Sequence, residues 1–104
     1  MTQTVNNDNF QSEVLDSDMP VLVDFFATWC GPCQALAPVI DELANEVGDN
    51  FKIVKIDVDE APEIAEKYEI MSIPSLKIFK GGEVVDEPED RSKEGLLTAL
   101  EKQK

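Results

Sequence analysis

The chain has 104 residues, of which 42% are hydrophobic and 30% are charged, a balance typical of one soluble globular domain. Its 22 acidic and 9 basic residues give a formal net charge of −13, which argues against binding to nucleic acid or to an anionic membrane surface. The 2 cysteines are too few for a secreted scaffold held together by disulfides. We expect one domain over residues 1–104. Its acidic surface should keep it monomeric, although that surface would also attract basic partners.

The beginning of the chain, MTQTVNND, lacks the basic stretch and the apolar run of a signal peptide. No apolar segment of the sequence reaches the length needed to span a bilayer. We therefore expect a cytoplasmic protein. In that reducing compartment, two closely spaced cysteines are more often catalytic or metal-binding than structural.

The first elements predicted are a short strand, a helix and a buried strand. The strand lies near residues 4–5, and the helix would be capped by Asn7 or Asp8 and would pack through apolar positions 10, 14 and 15. Residues 21–27 (VLVDFFA) form a nearly continuous apolar run, which suits a strand buried on both faces of a mostly parallel sheet.

A long helix is predicted after the second cysteine, because apolar residues recur with helical spacing from Leu36 to Val47. Pro32 fits its first turn, where the missing N–H costs nothing, whereas Pro38 falls inside it. Gly48 should end it.

The second half of the chain predicts a strand, a short helix, a hairpin and a final helix. Asp59 or Glu60 would cap the short helix, and Gly81-Gly82 would turn the hairpin. The predicted segments are a strand at 51–58, a helix near 62–68, strands at 75–80 and 83–85, and a helix from about 92. This order, β-α-β-α-β-α-β-β-α, predicts an α/β fold with a mixed sheet and helices on both faces.

The strongest motif is Cys30-Gly31-Pro32-Cys33, which follows the buried strand and opens the long helix. A zinc half-site is one alternative, but the sequence has no histidine and no third cysteine. A structural disulfide is another, but so short a loop constrains little chain entropy. A thiol at a helix N-terminus is favoured as thiolate, so the context indicates redox chemistry. Cys30, nearer the helix end and expected to be more exposed, would attack, and Cys33 would resolve.

The segment FFATWCGPC (25–33) resembles the active-site segment of the thioredoxin family. KIDVD (55–59), SIPS (72–75) and FKGGE (79–83) resemble the same family in the same order, so the resemblance covers essentially the whole chain. It implies the thioredoxin fold, a central mixed β-sheet flanked by helices on both faces. It also implies a thiol-disulfide oxidoreductase of electron transport and cell redox homeostasis, with the redox-active Cys30–Cys33 disulfide in place of any cofactor or metal.

The function implied by the resemblance is protein-disulfide reduction. Cys30 would form a mixed disulfide with a disulfide-containing protein, and Cys33 would then release the reduced substrate. A thioredoxin reductase, linked to NADPH or ferredoxin, would restore the dithiol. A disulfide isomerase or oxidase is a second possible enzymatic function. A third, non-enzymatic possibility is a binding module that uses the fold without turnover.

Asp24 matches the buried acid of the family beneath the cysteines. A carboxyl group in an apolar strand should have a raised pKa, which suits it to accept the proton of Cys33. The alternative is a structural acid paired with a lysine. Lys55, on the neighbouring strand, is the natural partner, and both readings can hold together.

The resemblance also implies a substrate-binding surface made of Trp29, Gly31, Pro32, Ile73 and Pro74. The Ile73–Pro74 bond matches the cis-proline loop of the family, which would leave the Ile73 backbone free to pair with an extended substrate. An ordinary trans bond is the alternative. Trp29 would shield the thiol and contact substrate.

The sequence departs from the family at three places. Gln34 stands where a lysine or arginine is usual, and Phe26 stands where many members have a second tryptophan. The segment 87–91 (EPEDR) replaces a small apolar segment that usually flanks the disulfide. Acids near the cysteines would raise the pKa of Cys30 or select basic partners, unless the segment points away.

Overall fold

The computed structural model describes residues 2–104 and confirms the predicted order of elements. A five-residue π-helical turn takes the place of the predicted first helix. In chain order the elements are β1 (Gln3–Val5), the π-helical turn (Gln11–Leu15), β2 (Val21–Phe26), α1 (Gly31–Val47), β3 (Lys52–Asp57), α2 (Pro62–Lys67), β4 (Ser75–Lys80), β5 (Glu83–Asp86) and α3 (Lys93–Glu101).

The five strands form one mixed sheet in the order β1-β3-β2-β4-β5. β3 pairs in parallel with both β1 and β2, whereas β4 is antiparallel to β2 and to β5. β2 therefore lies at the centre, with a neighbour on each side and a core on each face. This position explains why its sequence is apolar almost throughout.

Each face of the sheet carries its own core. On one face, α1 and α3 pack through Leu36, Ile40, Leu43, Leu96 and Leu100 against the strands. On the other face, the π-helical turn and α2 cover a second cluster of buried residues, which includes Phe10, Val14, Ile64 and Phe79. The sheet thus fixes the ends of β2 and β3 between two layers of helices.

The predicted caps of the first two short helical segments are wrong. Asn6, and not Asn7 or Asp8, closes the turn before the π-helical segment: its Oδ1 accepts from the backbone N–H of Asp8 at 2.9 Å and from that of Asn9 at 3.3 Å. α2 follows Ala61 and has no side-chain cap; Asp59 and Glu60 lie before the N-cap position, and the Asp59 carboxylate accepts from Trp29 Nε1 instead.

Pro32 lies in the first turn of α1, as predicted, and Pro62 lies in the first turn of α2. Gly48 ends α1 with a positive φ of 59°, a conformation that glycine adopts without steric cost. Within residues 2–104, no helix is both long and apolar enough to cross a membrane.

Candidate active site

The centre of the site is the disulfide between Cys30 and Cys33, which joins the end of the β2 segment to the start of α1. Cys30 is the N-cap of α1, and the backbone N–H of Cys33 donates to Cys30 Sγ at 3.2 Å. After reduction, the same N–H and the positive end of the helix dipole would stabilise a thiolate on Cys30.

The two sulfur-bearing residues are equally hidden in the oxidised protein. Cys30 is 5% exposed and Cys33 is 4% exposed, so the expected greater exposure of Cys30 is not found. The disulfide lies on Ala27, with Phe26 and Ile73 packed around it. What distinguishes Cys30 from Cys33 is its position at the N-terminal end of α1.

The loop after α2 brings a second backbone segment against the disulfide. The Ile73–Pro74 bond is cis, as the resemblance implies, and the Ile73 carbonyl oxygen lies 3.8 Å from Cys30 Sγ. Gly31 and Pro32 are exposed on the other side of Cys30, and a Cβ on Gly31 would meet no heavy atom within 4 Å. The surface next to the nearly buried Cys30 is therefore formed by Gly31, Pro32 and the Ile73 backbone.

Trp29 is an exposed aromatic side chain held in place beside the disulfide. It is 69% exposed, and its indole Nε1 donates to Asp59 Oδ2 at 2.7 Å. From the sequence, Asp59 is predicted only as a helix cap, and this contact is not predicted. The available signal was the parallel pairing of β2 with β3, which brings the residues after both strands to the same edge of the sheet.

A cavity of about 250 Å³ lies beneath the disulfide. Asp24, Cys33 and Lys55 line it, together with Gln34 and Asp41. Asp24 is 3% exposed, and its burial raises the pKa of its carboxyl from 3.8 to about 6, whereas the nearby charges of Lys55 and Arg91 act in the opposite direction. The structure thus brings a carboxyl of raised pKa and the second cysteine to the same cavity.

Lys55 lies directly opposite Asp24 in the register of β2 and β3. The expected ion pair is nevertheless absent from residues 2–104, since every nitrogen–oxygen distance between the two side chains is longer than 4.0 Å. Lys55 Nζ instead lies 5.3 Å from the centroid of the Phe26 ring. The lysine is therefore a neighbouring charge and not a hydrogen-bond partner of the acid.

In the segment 87–91, the acids Glu87 and Asp90 each contact a partner other than the two cysteines. Glu87 Oε1 contacts Lys77 Nζ at 2.6 Å, and Asp90 Oδ1 accepts from the backbone N–H of Ser92 at 3.0 Å. Arg91, by contrast, donates from Nη2 to the Pro74 carbonyl oxygen at 3.1 Å, a contact that was not predicted.

Gln34 lies next to the disulfide but does not replace the cation that is usual there. Its Nε2 donates to the Thr28 carbonyl oxygen at 2.7 Å and so ties the start of α1 to the preceding loop. The described residues contain no group of three or more His, Cys, Asp or Glu side chains that could hold a metal ion. The chemistry that these side chains support is thiol–disulfide exchange and proton transfer.

Comparison with known proteins agrees with this geometry. The Thioredoxin family model matches residues 1–102. Thioredoxin 1 of Nostoc sp. is 56% identical over 82 residues, which cover 79% of this chain and 77% of the relative. Thioredoxin M-type, chloroplastic, of Chlamydomonas reinhardtii is 55% identical over 78 residues, or 75% of this chain and 56% of the relative. Thioredoxin of Rickettsia prowazekii is 48% identical over 86 residues, or 83% of this chain and 82% of the relative.

The disulfide at the start of α1, the mixed sheet that supports it and the family match over nearly the whole chain lead to one conclusion. The chain belongs to the thioredoxin family and is a protein-disulfide reductase, a thiol-disulfide oxidoreductase whose redox-active disulfide is part of the protein itself.

Proposed function

We propose that Cys30 is the nucleophile and Cys33 the resolving thiol. The Cys30 thiolate attacks one sulfur of a substrate disulfide, forms a mixed disulfide and releases the first substrate thiolate. Cys33, as thiolate, then attacks Cys30 Sγ, which re-forms the Cys30–Cys33 disulfide and releases the second substrate thiolate. Two electrons pass from the dithiol to the substrate. The observation that carries this assignment is the 3.2 Å contact from the Cys33 N–H to Cys30 Sγ at the helix N-cap.

Asp24 is the proton acceptor for Cys33 in this proposal. A thiol must lose its proton before it attacks, and a base works best when its pKa lies near the operating pH. The raised pKa of Asp24, about 6, meets that condition, and the shared cavity gives a path for the proton. Lys55 acts on Asp24 through its charge, which limits the rise in the pKa of the acid.

The substrate-binding residues are Trp29, Gly31, Pro32, Ile73 and Pro74. The Ile73 backbone, next to Cys30 Sγ, would pair with the extended backbone around a substrate disulfide in the manner of an added strand. Trp29 supplies an exposed aromatic surface that Asp59 holds in one orientation.

The partners follow from the same chemistry. Disulfide-containing proteins oxidise the pair, and a thioredoxin reductase, linked to NADPH or to ferredoxin, reduces it again. We place the chain in the cytoplasm as a monomeric, single-domain electron carrier of cell redox homeostasis. The electron donor would be identified by adding a purified NADPH-linked or ferredoxin-linked thioredoxin reductase and measuring which of the two reduces the Cys30–Cys33 disulfide.

The test is the reduction of insulin by dithiothreitol, followed by the turbidity of the released chains. The wild-type protein should accelerate the reaction, and Cys30→Ser and Cys33→Ser should not. An exposed substitution away from the disulfide, Lys102→Gln, provides the control and should keep full activity. A wild-type rate no higher than that of the two cysteine variants would overturn the proposal.

A further inference from the structure

The segment 87–91 is fixed at both ends by its own contacts. At its start, Glu87 binds Lys77, whose side chain is only 11% exposed. At its end, Asp90 accepts the Ser92 N–H, and Ser92 Oγ accepts from the Gly95 N–H at 3.0 Å as the cap of α3. A Cβ on Gly95 would overlap the Asp90 carboxylate, so the glycine makes room for this arrangement.

Between these contacts, the exposed Arg91 reaches the cis-proline loop. Its Nη2 donates to the carbonyl oxygen of Pro74, the residue that follows Ile73. Because the Ile73 carbonyl lies 3.8 Å from Cys30 Sγ, the guanidinium group sits one residue away from the backbone that contacts the reactive sulfur.

Arg91 has no carboxylate partner in the described part of the chain, where Lys55, Lys67, Lys80 and Lys102 also form no ion pair. Arg91 differs from these lysines in its hydrogen bond to the cis-proline loop beside Cys30. The contact with Pro74 occupies one of the five N–H donors of the guanidinium group. The remaining donors match the geometry of a carboxylate, which arginine binds in a bidentate manner.

The acids next to Arg91 do not fill this role. Asp90 is held by the Ser92 N–H, and Glu89 lines a separate groove between β5 and α3 with Asp86 and Glu94. At the rim of the disulfide the chain thus presents a positive group, although its total charge is −13. A carboxylate on a substrate would be attracted to this group and repelled by most of the remaining surface.

We infer that Arg91 is a specificity-determining residue, which favours disulfide substrates that carry an Asp or Glu side chain beside the reacting cysteine. The inference rests on the proposed function, because it concerns the choice of substrate at the same Cys30–Cys33 site. A charge-assisted contact at an exposed rim should favour the acidic substrate by about three- to tenfold in kcat/KM.

Two peptides, each with one intramolecular disulfide and identical except for Asp or Asn beside one cysteine, provide the test. The ratio of kcat/KM for the Asp peptide over the Asn peptide is measured with dithiothreitol as electron donor. We expect a ratio of about three to ten for the wild type, near one for Arg91→Gln and an intermediate value for Arg91→Lys. Lys102→Gln removes the same charge from the end of α3 and should keep the wild-type ratio. High salt should lower that ratio.

An equal ratio in wild type and Arg91→Gln would overturn the inference. So would an equal loss on both peptides, since that would show that Arg91 acts only on the site itself, through the Pro74 carbonyl or through its charge on Asp24. Both results leave the proposed function intact. A wild-type protein that reduces neither peptide, or a Cys30→Ser variant as active as the wild type, would overturn the proposed function and the inference with it.

Discussion

Asp24 and Lys55 face each other in the register of β2 and β3, but they do not form an ion pair. Asp24 Oδ1 is buried and has no hydrogen-bond partner within residues 2–104. Burial without a close partner penalises the charged form of a carboxyl group. That penalty outweighs the more distant charges of Lys55 and Arg91, and the pKa of Asp24 rises as a result.

The first prediction is that Asp24 lowers the stability of the oxidised protein above about pH 6. The pKa of this carboxyl rises from 3.8 to about 6 on folding, so its protonated form favours the folded state. The contribution of the protonated Asp24 carboxyl to the stability of the folded state is complete below about pH 3.8 and is lost as the pH rises through about 6. A shift of about two pKa units corresponds to about 3 kcal/mol, so Asp24→Asn should raise the free energy of unfolding at pH 8 by about 2–3 kcal/mol.

Guanidinium denaturation at pH 8 and pH 4 measures this difference, which should nearly vanish at pH 4. Asp41→Asn is the matched control, because Asp41 lines the same cavity while hydrogen bonds from Thr2 lower its pKa. It should not stabilise the protein at pH 8. An Asp24→Asn variant no more stable than the wild type at pH 8 would contradict the account of the buried acid.

The second prediction concerns the rate at which Cys33 resolves the mixed disulfide. If Asp24 accepts the Cys33 proton, Asp24→Asn should slow this step by roughly 10²-fold, the lower range for general-base catalysis, and should leave the attack by Cys30 nearly unchanged. Rapid-quench mass spectrometry separates the two steps, because the variant should accumulate the mixed disulfide. Equal rates of resolution in variant and wild type would assign Asp24 a structural role only.

Much of the fold follows from local patterns in the sequence. The residues at 21–27 are apolar because the strand is buried on both faces, and the apolar residues after Cys33 recur with helical spacing because one face of the helix is buried. Both patterns can be read from the sequence without knowledge of the neighbouring elements. The CxxC motif is equally local, because the turn of the helix alone brings Cys30 and Cys33 together. The order of strands and helices could therefore be predicted, as could the place of the disulfide.

The polar contacts between distant segments could not be predicted in the same way. Asp59 reaches Trp29 across 30 positions of the chain, and Arg91 reaches Pro74 across 17 positions. Neither contact leaves a periodic signal, since an exposed polar residue fits a turn or a cap equally well. The missing Asp24–Lys55 ion pair is a similar case: the register was predictable, but the direction of the lysine side chain was not.

A third prediction follows from the backbone of Glu69, which has a positive φ of 54°. A side chain in this region costs about 1–2 kcal/mol, whereas glycine adopts it freely but loses more entropy on folding. Glu69→Gly should therefore raise the free energy of unfolding by about 0.5–1 kcal/mol in thermal or denaturant unfolding. The control is Glu66→Gly inside α2, which should lower it by about 1 kcal/mol. Equal losses in both variants would contradict this reading of Glu69.

The fourth prediction is that Asp59 orients Trp29 for substrate. Asp59→Ala removes the hydrogen bond to the indole N–H, a contact worth about 1 kcal/mol, and should lower kcat/KM for insulin by roughly fivefold. Trp29 is the only tryptophan, so acrylamide quenching of its fluorescence should increase at the same time. Glu60→Ala, an equal loss of charge in the same turn, should change neither quantity. Unchanged quenching in Asp59→Ala would show that the contact does not hold the ring in solution.

The division of labour between the two cysteines is the central claim, and trapping of the mixed disulfide tests it most directly. When oxidised insulin is mixed with each reduced single-cysteine variant, Cys33→Ser should form a covalent adduct that intact-mass spectrometry detects and dithiothreitol releases. Cys30→Ser should form little or none, because its remaining thiol lies one turn into α1, away from the N-cap position where the backbone N–H and the helix dipole stabilise a thiolate. An adduct that forms mainly with Cys30→Ser, or equally with both variants, would contradict the assignment of Cys30 as the nucleophile.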